Sequence, residues 1–209
     1  MAQETGKGAD RAGERGPAEH RTRIQLLEAA DAHFRRFGYN KTTVADLARA
    51  IGVSPAYVYR FFESKQSIGE AVCGMTLGGI VARAQAVVDE PRSATERLRR
   101  LYRELVEQSL ELYFHERKLH DIVLAAIEGR WSTVETYKAE VHALVERLVV
   151  EGRGGGEFER KTPLDEASTA ITLTLAPFIH PSLLEQSDHA DLRANADLMA
   201  SLVLRSLAP

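Results

Sequence analysis

The chain has 209 residues, 44% of them hydrophobic, which suffices for one large or two small domains with a substantial core. A formal net charge of −3 is at odds with indiscriminate coating of nucleic acid, and a single cysteine, Cys73, excludes an intrachain disulfide framework. The first twenty residues hold no signal-peptide apolar core, and no later run reads as the roughly 18 to 20 apolar residues of a membrane span, so a cytoplasmic protein is expected.

The charge is uneven. From His20 to Lys65 there are eight Lys/Arg against four Asp/Glu, giving +4 and leaving −7 on the remainder. Residues 1–19 combine Gly, Ala and mixed charges with no larger aliphatic after Met1, the composition of a disordered N-terminal arm. Ile24, Leu27, Ala30, Phe34 and Phe37 recur at threes and fours and predict a first helix with that apolar stripe, capped by Gly38.

Thr43, three residues before Asp46, forms a variant capping box for a second helix with Val44, Leu47, Ala48 and Ile51 on its apolar face and Gly52 at its end. Ser54 caps a third helix with Pro55 in its first turn. Val58, Phe61 and Phe62 make its packed face, leaving Pro55, Ala56, Tyr59 and Arg60 outward and Tyr57 on the boundary. Two short helices joined by a Gly-containing turn, in a local positive excess, describe a helix-turn-helix over residues 20–66 whose second helix enters a DNA major groove. Tyrosine and arginine there can bond phosphate oxygens, and small residues at the helix start allow close approach to base edges. Arg21 and Arg23 can reach DNA backbone or minor groove from the arm, but read first as solvated charges.

Beyond Glu63 the pattern is nearly all helical. Ser64 caps a helix running to about Asp89, and Glu90-Pro91-Arg92 breaks it. A long amphipathic helix then buries Leu98, Leu101, Leu105 and Leu112, and further helices are expected at about 118–129, 132–151 (ended by Gly152 and the Gly154–Gly156 run), 164–180 and 189–207. No alternating run long enough for a sheet occurs, so the class is all-α, with residues 67–209 forming a second, helical domain. The last two helices are apolar around so much of their circumference that a homodimer surface is expected there.

TTVADLARAIGVSPAYVYRFFESKQSIGEAV resembles the DNA-binding region of the TetR (tetracycline-repressor-like) family of bacterial transcriptional regulators. The likeness covers about residues 21–72: the F-x-x-x-G-Y entry (Phe34, Gly38, Tyr39), the T-T-V-x-D-L-A run from Thr42 to Ala48, the G-V-S turn, and the Y-x-x-F-x-S-K exit (Tyr59, Phe62, Ser64, Lys65). It implies a helical C-terminal domain that dimerises and binds a small ligand. It also implies that Thr43, Tyr59, Arg60 and Lys65 bind phosphates and that Pro55, Ala56 and Tyr57 lie against bases, with Ser54 completing the DNA-facing set. Family members often carry His just before the exit phenylalanine; Phe61 stands here, and Arg60 is expected to replace the lost donor.

For an effector pocket between the long helices the candidates are Tyr102, Phe114, Trp131, Val134, Tyr137 and His142, with an apolar or aromatic effector slightly favoured. G-x-S-x-G, H-E-x-x-H, P-loop and dinucleotide glycine patterns are missing, so no enzyme and no cofactor is expected. Glu111/His115 and His142/Glu146, each four apart, read as surface pairs with no second pair to complete a metal site. The expected function is a dimeric repressor released from a pseudo-palindromic operator by a small molecule; the alternative is an all-α protein whose tyrosine-bearing face binds another protein.

Overall fold

The structure is a computed structural model describing residues 10–186 and 191–209. Its described residues form ten helices and no strand: α1 (Asp10–Phe37), α2 (Val44–Ala50), α3 (Pro55–Val58), α4 (Lys65–Val88), α5 (Ala94–Phe114), α6 (Arg117–Glu128), α7 (Ser132–Gly154), α8 (Leu164–Ile179), α9 (Pro181–Gln186) and α10 (Leu192–Ser206). The chain divides into two compact units, the first ending at Val72 and the second running from Cys73 to Pro209, so the division falls within α4.

In the first unit local chemistry sets the helix ends. Gly38, at φ +85°, follows α1 and donates to the Phe34 carbonyl (2.8 Å). The capping box is present: Thr43 Oγ1 accepts from the Asp46 amide (3.2 Å), and the Asp46 carboxylate accepts from the Thr43 amide (3.0 Å). Gly52 turns the chain at φ +71°, where a side chain would strain the backbone. Ser54 then caps α3 by accepting from the Tyr57 amide (3.2 Å). Ser64 and Ser67 cap α4 reciprocally, each hydroxyl accepting from the other's amide (3.1 and 3.2 Å).

Three expectations change in this unit. Helix α1 starts at Asp10, so residues 10–19 of the expected arm are helical, and residues 1–9 lie outside the described residues. Extending an established helix adds one hydrogen bond per residue without a new nucleus, and Ala, Arg and Glu carry little penalty there. The buried stripe of α1 is Leu26, Ala30 and Phe34, whereas Ile24 and Phe37 are exposed, Phe37 lying against His33 (centroids 5.3 Å apart). After Val58, i→i+3 and i→i+4 bonds continue from Tyr59 to Phe62 in a tightened turn, which buries Val58 and Phe62 and leaves Phe61 half-buried.

Helix α4 also departs from expectation: with a mean hydropathy of 1.5 over its most apolar window, it is long and apolar enough to cross a membrane by length and composition. Its alanines, valines and isoleucines raise the mean hydropathy although polar residues interrupt any run of 18 to 20 apolar residues. Ile68, Val72, Leu77, Ile80 and Val87 on this helix are buried.

The second unit is built around α5, whose Leu98, Leu101, Tyr102 and Leu105 are fully buried, with α7, α8 and α10 packed about it. Arg97, buried on α5, donates to the Val88 carbonyl (2.7 Å) and to the Glu151 carboxylate on α7 (2.6 Å). Arg103–Asp197 (2.6 Å) and Arg193–Glu107 (2.5 Å) tie α5 to α10. The Glu157 carboxylate accepts from the Ala94 and Thr95 amides (2.8 and 2.9 Å), supplying from a distant loop the acceptors that the first turn of α5 needs.

Two glycine and proline effects reshape the C-terminal helices. Gly152 does not end α7. It sits inside the helix where a Cβ would overlap the Phe158 ring, so it serves close packing. Helix α8 stops at His180, whose extended backbone (φ −81°, ψ 120°) is the conformation favoured ahead of Pro181, and α9 begins with that proline. The sequence pattern did not separate α9, and the expected start of the last helix at 189 lies outside the described residues.

Candidate nucleic-acid interface and effector cavity

Burial of Val58 and Phe62 fixes the rotation of α3 and its following turn. Pro55, Ala56, Tyr59 and Arg60 are exposed, and Tyr57 is half-buried. The Tyr57 ring meets Phe61 edge-on at 5.3 Å, and the Arg60 guanidinium lies 5.3 Å from its centroid. Arg60 also reaches Glu19 at 3.4 Å in an exposed pair, the kind worth little and easily exchanged for a phosphate.

Lys65, at the start of α4, places its ammonium 4.4 Å from the Tyr39 ring centroid and 3.3 Å from the Asn40 carbonyl. Partial burial lowers its pKa, while Tyr39 is raised first by burial and then by Glu70. Thr43 is exposed and occupied as a cap, its hydroxyl also donating to Asp46 (2.6 Å). Those bonds hold the Asp46 carboxyl below the usual carboxylate range. Ser54, likewise exposed, completes the set. Arg23, expected to be a solvated charge, instead lies over the Phe62 ring (4.5 Å) and donates to the Phe61 carbonyl (3.3 Å), tying α1 to the turn after α3.

In the second unit a cavity of about 350 Å³, within the size range of small-molecule pockets, opens among α4 to α9. Leu77 and Ile80 of α4, Leu112 of α5, and Val123 and Ile127 of α6 supply apolar walls. Val134, Tyr137 and Val141 of α7, Leu173, Ala176 and Ile179 of α8, and Leu184 of α9 are further apolar parts of the lining. Of the six residues expected there, Val134 and Tyr137 line it.

The other four do not. Tyr102 is in the core, its hydroxyl against Thr174, which occupies the partner capacity a ligand would use. Phe114 is exposed at the end of α5, and Trp131 is buried at the start of α7 beside Gly129. His142 Nδ1 lies 3.2 Å from the Thr172 hydroxyl. Aromatic spacing locates a helix face but not which neighbour that face meets.

Two histidines that the sequence reading passed over line the cavity instead, His120 and His180. His120 shares the buried face of α6 with Val123 and Ile127 at helical spacing. A histidine within that apolar stripe was the available signal. Among the described residues no group of three or more His, Cys, Asp or Glu is arranged to hold a metal. Glu111–His115 and His142–Glu146 are separate pairs at 3.9 and 3.7 Å.

A capped helix pair presenting tyrosine and arginine, in a chain whose second, all-helical unit holds an apolar cavity, defines a helix-turn-helix regulator class. Residues 26–72 match the model of bacterial regulatory proteins of the tetR family, and residues 94–199 match the tetracyclin repressor-like C-terminal domain. The chain belongs to the tetR family of bacterial regulatory proteins.

The transcriptional repressor KstR2 of Mycobacterium tuberculosis (strain CDC 1551 / Oshkosh) is 34% identical over 80 residues, 38% of this chain and 40% of its own length. The chain thus spans about two fifths of that relative. In fold it is similar to a TetR-family regulator from Mesorhizobium loti (TM-score 0.69, 19% identity, 91% of this chain and 98% of the other). It is also similar to FadR of Bacillus subtilis, solved with stearoyl-CoA (TM-score 0.62, 19% identity, 88% and 98%).

Proposed function

We propose that the protein is a cytoplasmic, dimeric repressor that leaves a pseudo-palindromic operator when a small apolar effector binds. The observation that carries this reading is the Ser54-capped α3, with Val58 and Phe62 buried and Pro55, Ala56, Tyr59 and Arg60 exposed. Tyr59, Arg60, Lys65 and the Thr43 cap are the proposed phosphate contacts, and Ser54, Pro55, Ala56 and Tyr57 the groups nearest the bases. Arg60 takes the place of the donor that Phe61 lacks.

Dimerisation through α8 and α10 is supported by Leu173, Leu198 and Leu202, exposed by 67%, 67% and 55%, beside a groove lined by Ala170, Ile171 and Met199. Two-fold pairing would set two recognition helices about 34 to 36 Å apart, one turn of DNA. The cavity supports an effector with a hydrocarbon body. The stearoyl-CoA of FadR joins such a body to a polyanion, and only the hydrocarbon part suits these walls. An effector that prefers the conformation with misplaced recognition helices weakens operator binding by the factor that DNA weakens effector binding; 1 to 3 kcal/mol of coupling gives about 5- to 150-fold.

The test is selection of sites from random duplex DNA, then titration across salt of wild type and a Tyr59→Ala, Lys65→Ala double variant. A palindromic winner, a slope near −0.9 per phosphate neutralised and a shallower slope in the variant are expected. If nothing enriches and salt has no effect, the face binds protein.

A further inference from the structure

The lining of the second unit's cavity carries more chemistry than its apolar walls suggest. His120 is 1% exposed, and neither ring nitrogen has a hydrogen-bond partner. The backbone carbonyl of Pro181 lies close enough to one ring nitrogen to favour the protonated ring as a hydrogen-bond acceptor would, although the contact falls outside hydrogen-bond geometry. His180 Nδ1 is also buried without a partner. A buried polar group without a partner is costly, and native structures rarely keep one without a use.

The charges around the cavity set a second constraint. Among the described residues Lys138 is the one lysine or arginine in the lining, and its ammonium is held by Glu135 at 2.8 Å with both side chains largely exposed. A carboxylate or phosphate inside would therefore be desolvated without an uncompensated cation to receive it. A hydroxyl or carbonyl carries no such penalty. Burial favours the neutral imidazole at His120, and a neutral ring offers one N–H donor and one acceptor.

Resting on the effector-cavity reading above, we infer that the group held inside the cavity is uncharged: a hydrocarbon body bearing a hydroxyl or carbonyl that hydrogen-bonds His120. The apolar walls supply affinity, and the imidazole selects against both plain hydrocarbons and anions. Desolvation disfavours the anion, and an unmet imidazole disfavours the hydrocarbon.

Calorimetric titration of the full chain with 1-octanol, its near-isostere 1-chlorooctane and sodium octanoate tests this. Wild type is expected to bind 1-octanol about 3- to 10-fold tighter than 1-chlorooctane, the range of one net hydrogen bond, and octanoate more weakly than either. In His120→Leu the preference for 1-octanol disappears while 1-chlorooctane binding persists, and His120→Asn, which keeps a donor and an acceptor, restores part of it. The wild-type series is decisive even if the leucine variant does not fold. Octanoate binding as tightly as 1-octanol, an octanol preference that survives His120→Leu, or no binding by any of the three overturns the inference. Operator affinity of the probe-free wild type is measured separately, so a lost cavity preference and a failed regulator reading give different results.

Discussion

The Lys65 ammonium stands 4.4 Å from the centre of the Tyr39 ring and 3.3 Å from the Asn40 carbonyl, so the first residue of α4 is fastened to the turn that ends α1. A lysine held in this way offers a phosphate a cation whose position is already ordered. Lys65→Ala is expected to reduce the salt slope of operator binding by about 0.9, one phosphate contact. Tyr59→Phe, which removes only a neutral hydroxyl, is expected to weaken binding at an unchanged slope. Equal slopes for wild type and Lys65→Ala would remove Lys65 from the contact set.

Ser54→Ala removes the side-chain acceptor of the Tyr57 amide at the start of α3. The cost is about 1 kcal/mol, read as a lower urea midpoint, and Ser54→Asp should retain most of the stability because a carboxylate caps as well. If Ser54→Asp is as unstable as Ser54→Ala, the cap is not what holds α3.

Gly152→Ala forces a methyl group into the Phe158 ring inside α7. Although alanine is the better helix former, overpacking is expected to dominate and destabilise by about 1 to 3 kcal/mol. Adding Phe158→Ala should make the pair markedly less unstable than the sum of the two single changes, and additive behaviour in thermal or urea unfolding would refute the contact.

Stability should depend on pH through His120. Burial lowers its pKa, and Arg117 adds to that lowering; Glu185 from α9, Asp121 from α6 and the Pro181 carbonyl oppose it. The Tyr113 ring on α5 meets the imidazole edge-on at 5.1 Å. The unfolded imidazole takes its proton near pH 6.5, while the folded one takes it only at lower pH. Between those values the unfolded state binds more protons, so stability falls as pH drops below about 6.5 and is insensitive to this group above it. Urea unfolding of wild type and His120→Leu at several pH values checks this: the wild type should lose more stability on acidification. Parallel pH profiles would contradict it.

Placing charges at the exposed apolar positions of α10, with Leu198→Glu and Leu202→Glu together, is expected to leave a folded monomer, because both side chains lie outside the subunit core. Sedimentation of wild type and variant decides: a wild-type monomer rules out the proposed dimer, and a double variant that remains dimeric rules out α10 as its surface.

The helix-turn-helix was legible because its determinants are local. Thr43 and Asp46, Ser54 and Pro55, and the positive-φ glycines Gly38 and Gly52 fix caps and turns within a few residues of themselves, so their order along the chain nearly specifies the geometry. The register of α1 was less accessible. Ile24/Phe37 and Leu26/Ala30/Phe34 both fit helical spacing, and only packing against α2 and the turn after α3 selects the second set. The break between α8 and α9 was encoded by Pro181, but its consequence depends on where α9 then lies.

The cavity belongs wholly to tertiary structure. Val134 and Tyr137 reach it while Tyr102, Phe114, Trp131 and His142 do not, although all six belong to the same long-helix segments or their junctions. By itself the sequence determined the all-α class and the capped helix pair, because helix periodicity and capping are properties of neighbouring residues, and its motifs carried the family resemblance. Only the assembled structure decided which side chains face a shared void and left His120 buried without a partner, because a void is defined by several helices that meet from distant parts of the chain.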